Sequence, residues 1–517
     1  FGIDVASDSG LSGMAIGSLT ADASSTAGSA IATAGKDDLA TGALLPSLKV
    51  GGISDLTGAA QLDSSATASN VGTSTLGATA KAGEGQDVTG LTSGESGESV
   101  SVSTSLMPPT AGAGLATNSV VAPLTPSAFN IDVASDSNIT AQGFNNLDAS
   151  AESTAGIATA AAGSLGTNGS SVTGIASGMD ISVGGVSNLM AQAQGTADAS
   201  ASSVTGKAEA DAGMISMGIE DLEMDVSSDS DLSSTSAVIG SADGESTAGI
   251  ATADIDFDAT GIDGIAMNVG GIGTLASTAS VNGSSDATNV GAAADADVTP
   301  MVEDLGSTAK GDLDATGLNS AHLFSSSDGD VSGIATIAGS INAESTAGDG
   351  LADGDFDADG ITSLEMGAGG LFDLAGQAQV NADVSASSVS GTADALSGVT
   401  DNSTIKGLSA IEADGASDGT ILGTAFGDFS TSAESTGDNA TANAAQSLTG
   451  IDSANIDFGG TGSISAIAQD GIFVEASSVM GDASADASVE VVIPREGIGS
   501  AGDGASAHIS VHLCLTS

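Results

Sequence analysis

The stretch Phe129–Ser137 reads FNIDVASDS, and nearly the same phrase opens the chain as FGIDVASDS over Phe1–Ser9. A third version, MDVSSDS, starts at Met224, and two weaker ones follow: FSSSDGD from Phe324 and EADGASDG from Glu412. In the first two, Phe, Ile and Val alternate with small or polar residues, the period-two pattern of a strand with one buried face. Each phrase carries a shared aspartate: Asp8, Asp136, Asp229, Asp328 and Asp418. Eighteen residues after each stands a threonine: Thr26, Thr154, Thr247, Thr346 and Thr436. A second block keeps its own spacing. Glycine pairs begin at Gly51, Gly184, Gly270, Gly369 and Gly459, and twenty residues later come Val71, Val204, Val290, Val389 and Val479. Successive aspartates lie 128, 93, 99 and 90 residues apart, so insertions fall between blocks and not inside them. Self-similarity of this kind marks a repeat architecture.

The intervals divide the chain into repeat units at 1–106, 129–221, 222–320, 321–410 and 411–484. An uncharged linker at 107–128 holds four of the seven prolines and sets the first unit apart from the other four. A strand-patterned segment, 485–517, ends the chain. Gly, Ser, Thr, Asp and Asn saturate the sequence, and no apolar stripe of period 3.6 lasts three turns, so helices are disfavoured. The expected fold is all-β: an elongated repeat protein built as a β-solenoid, with five tandem β-sandwich domains as the alternative. Stacked sandwich sheets need bulky side chains to fill the space between them, and faces of Ala, Ser, Thr and Gly would leave voids. A narrow solenoid closes around small residues. Coils of about 20 residues, each advancing about 4.8 Å, would make a rod on the order of 120 Å long.

Composition removes several functions. Among 517 residues, 66 are acidic and 7 basic, a formal charge of −59, with no Trp or Tyr. Seven cations cannot build a phosphate-binding surface, which argues against nucleic acid and against anionic membranes. No uncharged run is long and apolar enough to insert as a membrane helix. One cysteine, Cys514, rules out a disulfide framework. An acidic, Lys-poor, Cys-poor chain that begins at Phe1 fits a secreted, extracellular or cell-surface product whose leader has been removed.

Catalytic inventory is thin. The histidines are His322, His508 and His512, the only arginine is Arg495, and no P-loop, GxSxG or CxxC occurs, so an enzyme is not expected. Two rows of aspartates suggest a cation. Asp353, Asp355, Asp357 and Asp359 lie on one edge of an alternating run, and Asp254, Asp256 and Asp258 occupy equivalent places one unit earlier. Asp355–Gly360 matches the opening DxDxDG of a calcium loop, but position 12 is Met366 and flanking helices are missing, so the EF-hand assignment fails. The favoured reading of the two rows is a solvated acidic face, with Ca2+ held on a strand face as the alternative. His508 and His512 lie about 13 Å apart on an extended chain, too far to share a zinc ion. Sequons occur at Asn138, Asn168, Asn282, Asn402 and Asn439, a weak signal in so Ser/Thr-rich a chain. Threonine occurs too sparsely for an ice-binding array.

A repeat protein without catalytic groups is expected to serve as an extender. The expected function is the structural subunit of a secreted homopolymeric filament, assembling head to tail by strand pairing between copies. The strand at Phe1, Ile3 and Val5 and the terminal strand with Ile509, Val511, Leu513 and Leu515 would supply the contacts. The alternative is an adhesin stalk or surface-layer protein whose acidic face is bridged by divalent cations.

Overall fold

The computed structural model describes residues 2–36, 38–44, 47–72, 77–92, 101–105, 114–121, 129–163, 170–176, 178–291, 306–399, 403–491 and 506–515. All regular structure among them is β-strand, arranged in one sheet of eleven strands and one of twenty-three. Long strands of 17 residues build the first sheet, from Ser9–Ser25 and Ser54–Asn70 through Gly419–Ser435 and Gly462–Ser478. Each pairs in parallel, without a slip, with the coil before and the coil after. The chain returns through the second sheet, in single 19-residue strands such as Ala208–Val226 and Ala251–Val269 or in two or three shorter pieces.

This is a β-solenoid, and the coil is longer than the expected 20 residues. Ser187 pairs with Ser230 and Ser230 with Gly273, and hydrogen bonds between neighbouring coils span 43 residues. Every repeat unit seen in the sequence is therefore a pair of coils. Ten such long strands and the ten-residue Ser506–Leu515, at about 4.8 Å each, make a body about 50 Å along its axis, not 120 Å, while each long strand runs about 55 Å across it. Tandem sandwiches are excluded because both sheets run unbroken through all five units.

Nor does the first unit stand apart. Phe129–Val133 pairs with Ser47–Val50, and Ser137–Ser153 with Ser54–Asn70, so the stack continues directly across the insertion. Within the stretch read as a linker, Gly114–Val121 is a strand. It pairs in parallel with Ala30–Lys36 of the first coil and antiparallel with Ser101–Ser105. The insertion thus folds back as a hairpin over one sheet at the N-terminal end of the stack. Phe1, the four prolines of this stretch, Asn168 and Asn402 lie outside the described residues.

Inward residues divide the interior in two. Toward the edge with the threonine turns, alanine faces alanine, as at Ala149, Ala151, Ala158 and Ala160. Toward the aspartate edge the core is Leu, Ile, Val and Met, as at Ile181, Leu189, Met224 and Leu232. The small residues that argued against a sandwich occupy the edge where two sheets converge into a turn, and bulky ones fill the wider side. Phe356 and Phe429 meet edge to face at 6.0 Å in the middle of the slab.

The repeat residues form the two edges. On one, an aspartate turn alternates with a Gly-Gly turn. The Asp229 carboxylate accepts the backbone N–H of Ile272 at 2.9 Å, and Asp8, Asp136, Asp328 and Asp418 do the same for Ile53, Val186, Leu371 and Thr461. The carboxylate lies directly over the second glycine of the next coil: a Cβ on Gly271 would stand 2.1 Å from Asp229 Oδ1. No side chain fits there. On the other edge the threonine and valine turns share one column, with Val204 N–H donating to Ser153 O and Thr247 N–H to Ser203 O. Hydroxyls seal that edge, as Ser246 Oγ donates to Gly206 O of the preceding coil at 2.9 Å.

Candidate functional site

Carboxylates on the outer face of the eleven-stranded sheet are mostly kept apart; among the described residues only Asp148–Asp198, Asp243–Asp286 and Asp330–Asp373 lie side by side on adjacent coils. In the column through Glu152, Glu245, Glu344 and Glu434, each glutamate is flanked on adjacent coils by Ser or Thr, so no two carboxylates are neighbours. Like charges one coil apart would repel. On the twenty-three-stranded sheet acidic pairs also occur, as at Asp211–Asp254, Asp180–Glu223 and Glu365–Glu412, and at one place they extend over three coils. Asp256, Asp312 and Asp355 stand side by side on three successive coils, and Asp258, Asp314 and Asp357 form a second column beside them.

The two aspartate rows read from the sequence thus belong to one grid, two coils apart. Between them lies the strand Ser307–Ser325, which supplies Asp312 and Asp314. These two escaped the sequence reading, although KGDLDAT at Lys310–Thr316 has the same alternation as DIDFDAT at Asp254–Thr260 and DGDFDAD at Asp353–Asp359. Lysine at the first position hid the match. Lys310 sits between Asp254 and Asp353, and Lys406 beside Asp359. Beneath the grid lie Phe257, Leu313 and Phe356, all fully buried.

An apolar floor and crowded neighbours disfavour ionisation. Burial, and then the charges of Asp312, Asp357, Asp258 and Asp355, push Asp314 up to about 8. Burial first, followed by nearby groups, raises Asp254, Asp258, Asp355 and Asp359 to about 6. At the downstream border, Thr404 donates both its N–H (2.6 Å) and its hydroxyl (2.9 Å) to Asp357 Oδ1. A shallow pocket of about 220 Å³ opens between Asp254, Lys310, Asp312, Asp353 and Asp355. Among the described residues no three His, Cys, Asp or Glu side chains converge closely enough to hold a metal ion. The grid is a flat array, suited to holding protons or loosely bound cations. Asp355–Gly360 lies within the strand Gly350–Ile361, so it forms no calcium loop.

The end strands are the other candidate region. Ile3 and Val5, both half-buried, pair with Leu48 and Val50. Ser506–Leu515 adds in parallel to Ser463–Ile472 of its own chain, which sets Ile509, Val511, Leu513 and Leu515 in register with Ala466, Ala468, Asp470 and Ile472. The terminal strand expected to pair with another molecule therefore occupies one edge on its own sheet. Beyond Ser9–Ser25, at the opposite end of that sheet, no described strand follows. Comparison with known proteins finds no matching family, no curated relative and no matching solved structure.

Proposed function

We propose that this chain is the structural subunit of an extracellular filament, stacking head to tail through its end strands. One observation carries the reading: Ser9–Ser25 ends an all-parallel sheet with a 17-residue edge. Such an edge, with its row of unpaired backbone groups, is a template for another strand. At the far end the last strand, Ser506–Leu515, has its own outer edge. By register it would meet Gly10–Leu19 of the next copy, because Ser463 and Gly10 hold the same place in their coils. Contacts between unlike ends propagate without closing, which gives a filament. Acidic, cation-poor composition supports an extracellular setting.

Replacing Ala15, a half-buried core-facing residue of the edge strand, with lysine places an inward-pointing charge at the joint. Light scattering and negative-stain images should show single particles for Ala15→Lys and fibres of constant width for the parent chain. Fibres of equal length from both would end this reading.

The acidic grid supports a second reading, a surface-layer or adhesin stalk whose carboxylates are bridged by divalent cations, calcium among them. Titration calorimetry at millimolar Ca2+ separates the two: no heat and no melting shift beyond that of matched ionic strength would remove the bridged-face reading.

A further inference from the structure

The outer face of the eleven-stranded sheet contains a strip that bears no charge. It spans three adjacent outward columns, cornered by Ser12, Met14 and Ile16 on the first coil and Ser465, Ile467 and Gln469 on the tenth. None of its thirty positions is Asp, Glu, Lys or Arg. On a chain with a formal charge of −59 this is a marked segregation. Acids resume at once on both sides, with Asp55, Asp231 and Asp373 along one border and Asp63 and Asp428 along the other. Seven of the chain's nine glutamines lie in the strip, and Gln142 Nε2 donates to Gln192 Oε1 on the next coil at 3.1 Å. Apolar side chains stand among them: Met14 is 74% exposed, Ile16 68% and Met190 53%.

We infer that this strip is a lateral docking surface for a second copy of the same chain, sheet face against sheet face. The strip is about 20 Å wide and about 48 Å long from strand and coil spacings. Sheets packed face to face cross at about 30°. At that angle two such strips overlap over about 700 Å², within the area per partner of a standard stable interface. Charge selects the occupant. A cationic partner would be drawn to the carboxylates elsewhere, whereas another copy repels this chain everywhere except where both are neutral. The bordering acids of the two copies still oppose each other, so the contact strengthens as salt screens them, opposite to an interface held by ion pairs. This contact is separate from the end-to-end joint and does not depend on it.

The test uses the full chain carrying Ala15→Lys, so that end stacking is blocked, in sedimentation velocity at about 20 mM and about 0.5 M NaCl. The expected result is a monomer at low salt and a dimer at high salt. Adding Gln192→Glu and Thr278→Glu places carboxylates two coils apart, the spacing that the glutamate column already tolerates. The dimer should weaken at least tenfold while the melting curve is retained. A monomer at both salts, or a dimer equally strong in the double variant, would overturn the inference. A chain that stays monomeric yet binds a neutral glucan through the strip would overturn it in favour of a carbohydrate partner. Should Ala15→Lys leave fibres intact, images of those fibres decide the matter instead: they must be paired at high salt and single in the double variant, or the inference fails.

Discussion

At the scale of single residues, the lock between Asp229 and Gly271 explains why two unlike turns recur in strict alternation. The carboxylate takes the N–H of Ile272, and it can do so because nothing projects from Gly271 beneath it. Gly271→Ala should cost about 2–3 kcal/mol, as overpacking does. In an Asp229→Ala background the same change should cost less than half as much, since the atom it strikes is gone, although the Ser228 carbonyl carbon at 3.0 Å keeps it from becoming neutral. Additive losses in thermal denaturation would mean the carboxylate is not the obstacle. The acidic grid offers a second residue-scale prediction. Asp314, raised to about 8, favours the folded state while protonated; that contribution is whole below about pH 4 and is lost as pH rises through about 8. Asp314→Asn imitates the protonated acid, so it should raise the melting temperature at pH 8.5 and leave it unchanged at about pH 3. Equal effects at both pH values would show that ionisation is not involved.

At the scale of the coil, the sequence exposes the repeat but doubles its length. Aspartate turns resemble one another and glycine turns resemble one another, so comparing the chain with itself finds every second coil. The strand register, and hydrogen bonds such as that from Ile272 N–H to Asp229, reveal that the two turn types occupy one column. The strand faces were legible because alternation fixes them: Ile3 and Val5, and the rows from Asp254 and Asp353, fall on the sides that period two requires. The partner row at Asp312 and Asp314 was lost because Lys310 replaces the leading acid. The hairpin was illegible, since Gly114–Val121 lies inside a stretch flanked by prolines and its partner, Ala30–Lys36, belongs to the first coil. Its removal is a sharp test. Leu91 shares a column with Ile219 through Ile175, and Phe129 with Leu222 through Met179. Two residues, as in Glu220–Asp221, would therefore replace 92–128. The shortened chain should keep its fold, uncover the edge of Ala30–Lys36, and form longer fibres than the parent. Fibres of unchanged length by electron microscopy would show that the hairpin does not limit growth at that end.

At the scale of the molecule, the two faces carry different charge patterns, and the difference sets how stability responds to pH. All six lysines lie on the strands of the twenty-three-stranded sheet or directly beside them, the sheet that also holds the grid. A neutral strip, with carboxylates paired over no more than two coils outside it, marks the other face. Nine aspartates besides Asp314 act in the same direction; among them Asp148, Asp243 and Asp330 are raised by burial and then by a neighbouring carboxylate. Asp211, Asp254, Asp258, Asp355 and Asp359 are raised to about 6, chiefly by burial, and Asp470, inward-facing, to about 7. Each favours folding when protonated, so the stability they confer is complete below about pH 4 and is lost progressively from there, by about pH 6 for the five and by about pH 7 for Asp470. Asp418 works the other way: the hydroxyl and N–H of Thr461 hold it below its usual range, so its contribution fails only as the solution becomes more acidic than about pH 4. The melting temperature should therefore peak near pH 4–5 and fall by several degrees toward pH 8, the reverse of proteins whose carboxylates are held by ion pairs. About 0.5 M NaCl at pH 8 should recover part of the fall, because screening weakens repulsion between the coils but leaves the desolvation of the grid in place. A melting temperature that climbs from pH 5 to pH 8 in calorimetry would mean that cations, and not protons, neutralise the grid, and would shift the balance from the free filament toward the cation-bridged layer.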